Sequence, residues 1–264
     1  MFRQLLTRAS HALPNQCAVC RSWGNARVCC ACQERFAQKV PRCLGCASQL
    51  VGTHTNAHTN AHTNAHTNPH SPTLCGTCIT APLGLEACLA AVDYAYPWDD
   101  IIAQLKFAAG NPAMAAIAAD VMAQQPSIVH ALTQADLVLP VPLSSERLRQ
   151  RGFNQSLQIA RALPHTRAWG AQAGQRKLPI DTGLLLRLRD TMPQMRLPRE
   201  QRLANVRGAF AVEPLRSAQL RGKRVVILDD VSTTGATLAA AALALRRSGA
   251  AQVSAVVFAK TPIY

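Results

Sequence analysis

Apolar residues follow two alternating patterns from about residue 91 to the end of the chain. Short runs of consecutive apolar residues, which are typical of buried strands, alternate with longer stretches of helical or alanine-rich pattern. The predicted helices span residues 101–107 (capped by Asp99 or Asp100), 113–125, 153–163 and 236–247, and the predicted strands span 137–139, 182–188, 225–228 and 253–259. Strands that alternate with helices in this way predict an α/β fold, in which a parallel sheet is flanked by helices.

The composition is that of a globular chain without a membrane span. Hydrophobic residues make up 48% of the 264 residues and charged residues only 16%, so the chain can bury a sizeable core. The most apolar stretches, 113–123 and 238–245, are too short to cross a bilayer. The first residues lack the continuous apolar run of a secretory signal. We therefore expect a cytoplasmic protein.

The positive charge is unevenly distributed. The formal net charge is +14, and residues 140–224 hold 17 Lys and Arg against 5 Asp and Glu. Such a segment indicates an anionic partner, and both a small polyphosphate and a nucleic acid would suit it. A basic surface that serves only solubility is the alternative, because charge alone says little about function.

Eight of the ten cysteines form four Cys-x-x-Cys knuckles near the start of the chain. Two knuckles supply the four thiolates of a tetrahedral zinc site, in which each Zn–S bond is about 2.3 Å long. The spacing therefore predicts about two structural zinc ions. It does not decide which knuckles share an ion, and Cys30 could replace Cys29. The predicted ligands are Cys17, Cys20, Cys29, Cys32, Cys43, Cys46, Cys75 and Cys78.

A four-residue repeat, His-Thr-Asn-Ala, occupies residues 54–70 between the third and fourth knuckles. Histidine-rich tracts can bind metal. We favour the interpretation that it is a low-complexity insertion in a ribbon loop, since long insertions cost little free energy.

The most specific local signal lies at the end of the strand predicted over 225–228. Two adjacent carboxylates, Asp229 and Asp230, follow it, at the edge where parallel sheets bind ligands. Carboxylates can accept hydrogen bonds from two vicinal ribose hydroxyls, and a hydroxyl-rich turn that opens a helix can hold a phosphate. The predicted ligand-binding turn consists of Ser232, Thr233, Thr234, Gly235, Ala236 and Thr237. We expect the two acids to face solvent; an ordinary strand–turn–helix or a receiver-domain pocket are the alternatives.

Several motifs, in order along the chain, resemble those of the ComF family of competence-associated proteins. The segment from Asp229 to Thr237 is similar to the phosphoribosyl-pyrophosphate motif of type I phosphoribosyltransferases. Ser144 departs from the family pattern, which has a His there. The other matching segments are the knuckles, 105–107, 140–143, 151–156, 189–194 and 202–210.

The resemblance implies a type I phosphoribosyltransferase-like domain over 91–264 and a double zinc ribbon over 1–90, with 53–70 as an insertion. It also implies a pyrophosphate-side loop over 140–155, in which Pro142, Arg147 and Arg149 bind the ligand, and a closing hood over 189–205. Mg²⁺ would accompany the pyrophosphate. Asp229, Asp230 and Arg151 would be the catalytic residues.

Three functions are compatible with this resemblance. The first is a protein of DNA uptake and natural competence that binds phosphoribosyl pyrophosphate or ribose 5-phosphate, with single-stranded DNA and DNA-uptake proteins as further partners. The second is an active phosphoribosyltransferase of nucleotide salvage. The third is a non-catalytic phosphoribosyl sensor.

Overall fold

The computed structural model describes residues 14–50, 73–107, 112–174, 176–189 and 208–262. The strands are β1 (Asn15–Gln16), β2 (Trp23–Gly24), β3 (Cys88–Asp93), β4 (Leu137–Pro140), β5 (Leu185–Arg187), β6 (Phe210–Val212), β7 (Arg224–Ser232) and β8 (Gln252–Lys260). The α-helices are α1 (Cys30–Phe36), α2 (Gly76–Thr80), α3 (Trp98–Phe107), α4 (Pro112–Ala123), α5 (Pro126–Gln134), α6 (Ser145–Arg151), α7 (Gln155–Ala162), α8 (Arg167–Ala173) and α9 (Ala236–Arg247). Short 3₁₀ helices span Leu163–His165 and Pro214–Leu220.

A four-stranded, fully parallel sheet forms the centre of the fold, in the order β3-β8-β7-β4. The central strands β7 and β8 read as nearly continuous apolar runs because helices cover both faces of the sheet. A separate antiparallel pair, β5 and β6, borders residues 190–207, which lie outside the described part. The predicted α/β fold with a parallel sheet flanked by helices is confirmed.

The unequal lengths of β7 and β4 leave one edge of the sheet open. The pairing of β4 with β7 ends at Pro140 and Leu228, whereas β7 continues beside β8 as far as Ser232. Within the described part of the chain, residues 229–232 therefore have a strand neighbour on one side only. Ligands of parallel sheets bind at carboxyl-terminal edges of this kind.

The segment with the cysteine knuckles packs directly onto the sheet. Cys17, Val28 and Cys32 belong to the same apolar cluster as core residues of the sheet. The Trp98 indole N–H donates to the carbonyl of Phe36 at 2.7 Å. The predicted division into 1–90 and 91–264 stays a prediction, and β3, which pairs with β8, extends across that boundary.

Among the described residues, no helix has the length and hydrophobicity needed to cross a membrane. The repeat at 54–70 lies outside the described residues, as does most of the expected hood at 189–205.

Candidate functional site

The two acids lie within the last residues of β7 and not beyond its end. Asp229 accepts hydrogen bonds on one carboxylate oxygen, Oδ1, from the Ser156 hydroxyl at 2.9 Å and from the backbone N–H of Asp230 at 2.9 Å. Burial, and then the neighbouring charge of Asp230, raise the pKa of Asp229 to about 8. Near neutral pH, Asp229 therefore holds a proton.

Asp230 is only 5% exposed, so the expectation that both acids face solvent was wrong. Its Oδ2 atom lies 2.8 Å from the Lys106 ammonium, which α3 brings to this edge of the sheet. Burial alone would raise the pKa of Asp230, but Lys106, helped by Asp229 and Arg151, holds that pKa below its ordinary value. The pair thus consists of one neutral and one ionised carboxyl group.

Sequence reasoning gave Lys106 and Ser156 no role at this site, although both lie in segments that carry the family resemblance. Their contacts join elements distant in sequence: Ser156 precedes Asp229 by 73 residues. The periodicity of one helix cannot show which strand end that helix will meet, so no local pattern could have found these contacts.

The predicted phosphate-binding turn joins β7 to α9. Gly235 has a φ of +82°, in the left-handed region that favours glycine, and α9 begins at the next residue. Lys260, which is 1% exposed, donates from its ammonium to the carbonyl of Thr233. The first backbone N–H groups of a helix have no partner within the helix, so this turn can present N–H donors to an anion.

The Ser232 hydroxyl is buried and has no hydrogen-bond partner among the described residues. The Thr234 hydroxyl accepts from the N–H of Ala236 at 3.4 Å. The predicted turn, 232–237, follows the acid pair directly along the chain, so both belong to one segment.

The predicted pyrophosphate-side residues occupy the loop after β4 and helix α6. The Ser144 side chain accepts from the N–H of Arg147 and caps α6, so the departure from the family pattern leaves a well-formed helix start. Arg149 is 73% exposed and pairs with Glu146 at 2.9 Å. Burial lowers the pKa of Arg151, while the charge of Asp230 opposes that shift, so Arg151 belongs to the electrostatic environment of the acid pair.

Pro142 is partly buried between β4 and α6. Next to it, the Asn154 side chain donates to the carbonyl of Val141 at 2.9 Å and caps α7 through the N–H of Leu157. The Ser144 cap and the two hydrogen bonds of Asn154 thus hold the chain between the end of β4 and the start of α7.

The eight knuckle cysteines form two groups, each with its four Sγ atoms within 4.8 Å of one another. Consecutive knuckles are paired, which settles an alternative that the spacing had left open, and Cys30 belongs to neither group. The first group is Cys17, Cys20, Cys29 and Cys32; the second is Cys43, Cys46, Cys75 and Cys78.

Both groups fit a tetrahedral zinc ion. A regular tetrahedron with Zn–S bonds of about 2.3 Å has S–S edges of about 3.8 Å. The Sγ atoms of Cys20 and Cys29 lie 3.7 Å apart, as do those of Cys46 and Cys75. The Ser22 hydroxyl, 3.0 Å from Sγ, lowers the pKa of Cys20 to about 6, which favours the thiolate that a metal requires. The two groups could thus hold two zinc ions.

The raised pKa of Asp229 predicts how stability depends on pH. The folded state keeps this proton up to about pH 8, whereas the unfolded chain releases it near its ordinary value of about 4. The free energy of unfolding should therefore fall as the pH rises through this window. Asp229→Asn, which stays neutral, should flatten that slope in urea unfolding between about pH 6.5 and about pH 8. An unchanged slope would contradict the protonated state of Asp229.

Comparison with known proteins supports these motifs. Residues 190–264 match the family described as phosphoribosyl transferase domain. The DNA utilization protein YhgH of Salmonella typhimurium is 31% identical over 254 residues, which cover 91% of this chain and 95% of the relative. Competence protein F of Haemophilus influenzae is 28% identical over 124 residues, covering 47% of this chain and 50% of the relative.

A shorter match falls on an enzyme. Adenine phosphoribosyltransferase of Mycobacterium avium is 57% identical over 44 residues, covering 17% of this chain and 24% of the relative. The likeness to YhgH therefore extends over nearly the whole chain, whereas the phosphoribosyl transferase domain match covers the C-terminal part that contains β7, the turn and α9.

Proposed function

Because the chain belongs to the ComF family of competence-associated proteins, we propose that it acts in DNA uptake and that the edge of β7 binds the ribose-5-phosphate part of a phosphoribosyl ligand. The ligand is phosphoribosyl pyrophosphate or ribose 5-phosphate. Asp229 and Asp230 accept hydrogen bonds from the ribose hydroxyls, and the turn 232–237 holds the 5-phosphate.

One observation carries this proposal: the acid pair and the helix-opening turn are consecutive on a strand that extends beyond its neighbour β4. A ribose 5-phosphate presents vicinal hydroxyls and a phosphate on one small ring, and the segment offers acceptors and donors in that order. Arg147, Arg149 and Arg151 all lie on helix α6, on the side assigned to the pyrophosphate.

Magnesium enters this proposal with the ligand. Mg²⁺ prefers oxygen ligands and is usually bound through substrate phosphates plus one or two carboxylates. Here Lys106 lies against Asp230, and Asp229 holds a proton, so the acid pair alone is a poor site for a free cation. Mg²⁺ would instead enter together with the pyrophosphate, whose negative charge it would neutralise, while Asp229 and Asp230 hold the ribose hydroxyls.

We also propose two alternative functions of the same pocket. They use the same ligand and differ only in the chemistry that follows its binding. In a phosphoribosyltransferase, the bond from C1 to the pyrophosphate breaks, pyrophosphate leaves with the bonding electrons, and an acceptor attacks C1. Arg151 would then stabilise the charge that develops on the leaving group. In a sensor the same ligand binds without turnover.

Calorimetric titration of the full-length, zinc-loaded protein tests the proposal. We expect phosphoribosyl pyrophosphate to bind, more tightly with Mg²⁺ than without it, and ribose 5-phosphate to compete, whereas inorganic phosphate binds much more weakly. Pyrophosphate release with a series of nucleobases would distinguish the transferase from the sensor. If neither phosphoribosyl compound binds, the pocket assignment is wrong.

The role in DNA uptake is tested separately. The basic segment 140–224 suggests contacts with the phosphates of single-stranded DNA. Affinity for an oligonucleotide should then fall steeply with salt, and replacing Arg167, Arg221 and Lys223 by Gln should reduce that dependence. Binding that is absent at low salt, or insensitive to salt, would remove DNA as a direct partner.

A further inference from the structure

The phosphate-binding turn packs against a side chain from outside the sheet. A Cβ atom placed on Gly235 would lie 2.5 Å from Cδ1 of Leu83, and the next two nearest atoms, at 3.5 and 3.6 Å, also belong to Leu83. The positive φ favours glycine here, and a larger residue would also require the end of the Leu83 side chain to move. Leu83 therefore packs against the turn that is proposed to hold the phosphate.

Leu83 also belongs to the apolar surroundings of the second cysteine group. It packs, together with Leu50, against the cluster formed by Cys43, Cys46 and Cys78. The cluster is tight: a Cβ on Gly45 would lie 2.9 Å from Sγ of Cys78. One leucine thus contacts both the surroundings of a predicted zinc site and the turn at the start of α9.

The residues that follow Leu83 are bound to helix α9. The Arg246 guanidinium, near the end of α9, donates from Nε to the carbonyl of Gly84 at 2.7 Å and forms an ion pair with Glu86 at 2.7 Å. Farther along, the N–H of Cys88 donates to the carbonyl of Leu44 at 2.7 Å, which joins β3 to the second ribbon. The chain that follows Leu83 is therefore anchored both to α9 and to the segment of the second cysteine group.

We propose that Leu83 is a positioning residue that couples the second cysteine group to the phosphate-binding turn. The proposal rests on the proposed function, and it makes the second ribbon a part of the ligand site. When Leu83 is in place, the backbone N–H groups of the turn are held ready for the phosphate. When it is removed, the turn relaxes into the space and binding weakens.

Three variants of the full-length, zinc-loaded protein test this coupling. Leu83→Ala removes the contact, Leu83→Met largely fills the same space, and Leu50→Ala is the matched control because Leu50 packs on the same cysteine cluster but is not among the atoms nearest Gly235. The measurements are zinc content, the affinity for ribose 5-phosphate, and hydrogen exchange of the backbone amides of 233–237 without ligand.

We expect Leu83→Ala to keep two zinc ions, to speed exchange in the turn and to weaken ribose 5-phosphate binding by at least about fivefold, the lower end of typical coupling effects. Leu83→Met should restore both readouts, and Leu50→Ala should change neither. Unchanged exchange, or equal losses in Leu83→Ala and Leu50→Ala, would overturn the proposal. If the parent protein binds neither phosphoribosyl compound, the proposed function fails, and the exchange measurement alone decides the role of Leu83.

Discussion

A variant that combines Asp230→Asn with Lys106→Met should remain folded and bind phosphoribosyl pyrophosphate at least about tenfold more weakly than the parent protein. Hydrogen bonds to charged groups contribute about 1.5–3 kcal/mol each, and about 1.4 kcal/mol corresponds to tenfold in affinity. The loss of the ionised acceptor should therefore be readily measured by titration calorimetry.

The second substitution is needed because Asp230 is not a free surface acid. Asp230→Asn alone would leave the mostly buried Lys106 ammonium without its 2.8 Å partner, at a cost of about 1–3 kcal/mol in stability. Replacing both members removes the charge and its partner together. Thermal unfolding should therefore distinguish the single from the double variant.

The matched control is an acid–cation pair that involves the other end of β7. Asp136 accepts from the N–H of Arg224 at 2.8 Å and lies 3.6 Å from its side chain, far from the turn along the strand. Asp136→Asn with Arg224→Met should leave affinity unchanged. If the Asp230 variant binds as tightly as this control, the acid pair does not hold the ribose.

Cys17→Ser should remove one zinc ion and lower the stability of the whole molecule, not only of the first ribbon. Cys17 is 1% exposed and belongs to the main apolar cluster of the sheet. Zinc-finger peptides gain about 10–16 kcal/mol from the metal, which is comparable with the whole stability of an average domain, about 5–15 kcal/mol. We expect a single thermal transition at a much lower temperature than in the parent protein. Metal analysis is the second measurement.

Cys30→Ser is the control for this experiment. Cys30 is exposed and adjacent to a predicted ligand, yet it lies outside both cysteine groups. The Cys30→Ser variant should bind two zinc ions and unfold at the melting temperature of the parent protein. The prediction fails if Cys17→Ser retains two zinc ions, or if only the ribbon melts early while the sheet melts at the parent temperature.

Local patterns predicted those parts of the molecule that local physics determines. The helix predicted over 236–247 coincides with α9, because a glycine turn starts it and a uniform alanine–leucine pattern runs to its basic last turn. The knuckles were predicted because the two-residue spacing alone lets a pair of thiolates reach one metal. The strand predicted over 225–228 was correct in position but too short, since Asp229 and Asp230 do not read as strand residues.

The rest depends on contacts distant in sequence. β3 was missed because Cys88 and its alanine-rich neighbours resemble a linker until β8 pairs with them. The ion pair between Asp230 and Lys106 forms only because α3 ends at the edge of the sheet, close to the end of β7. The pairing of consecutive knuckles is likewise a tertiary fact.

That pairing has a consequence for the tandem repeat at 54–70. The second cysteine group closes the 28 residues between Cys46 and Cys75, whereas the first closes only the 8 between Cys20 and Cys29. Closure entropy grows with the logarithm of length, so the longer loop costs only about 1 kcal/mol more, and each added four-residue unit roughly 0.1 kcal/mol. Tandem repeats readily gain or lose units in the gene. Such changes in loop length should therefore alter the stability of the second metal site very little.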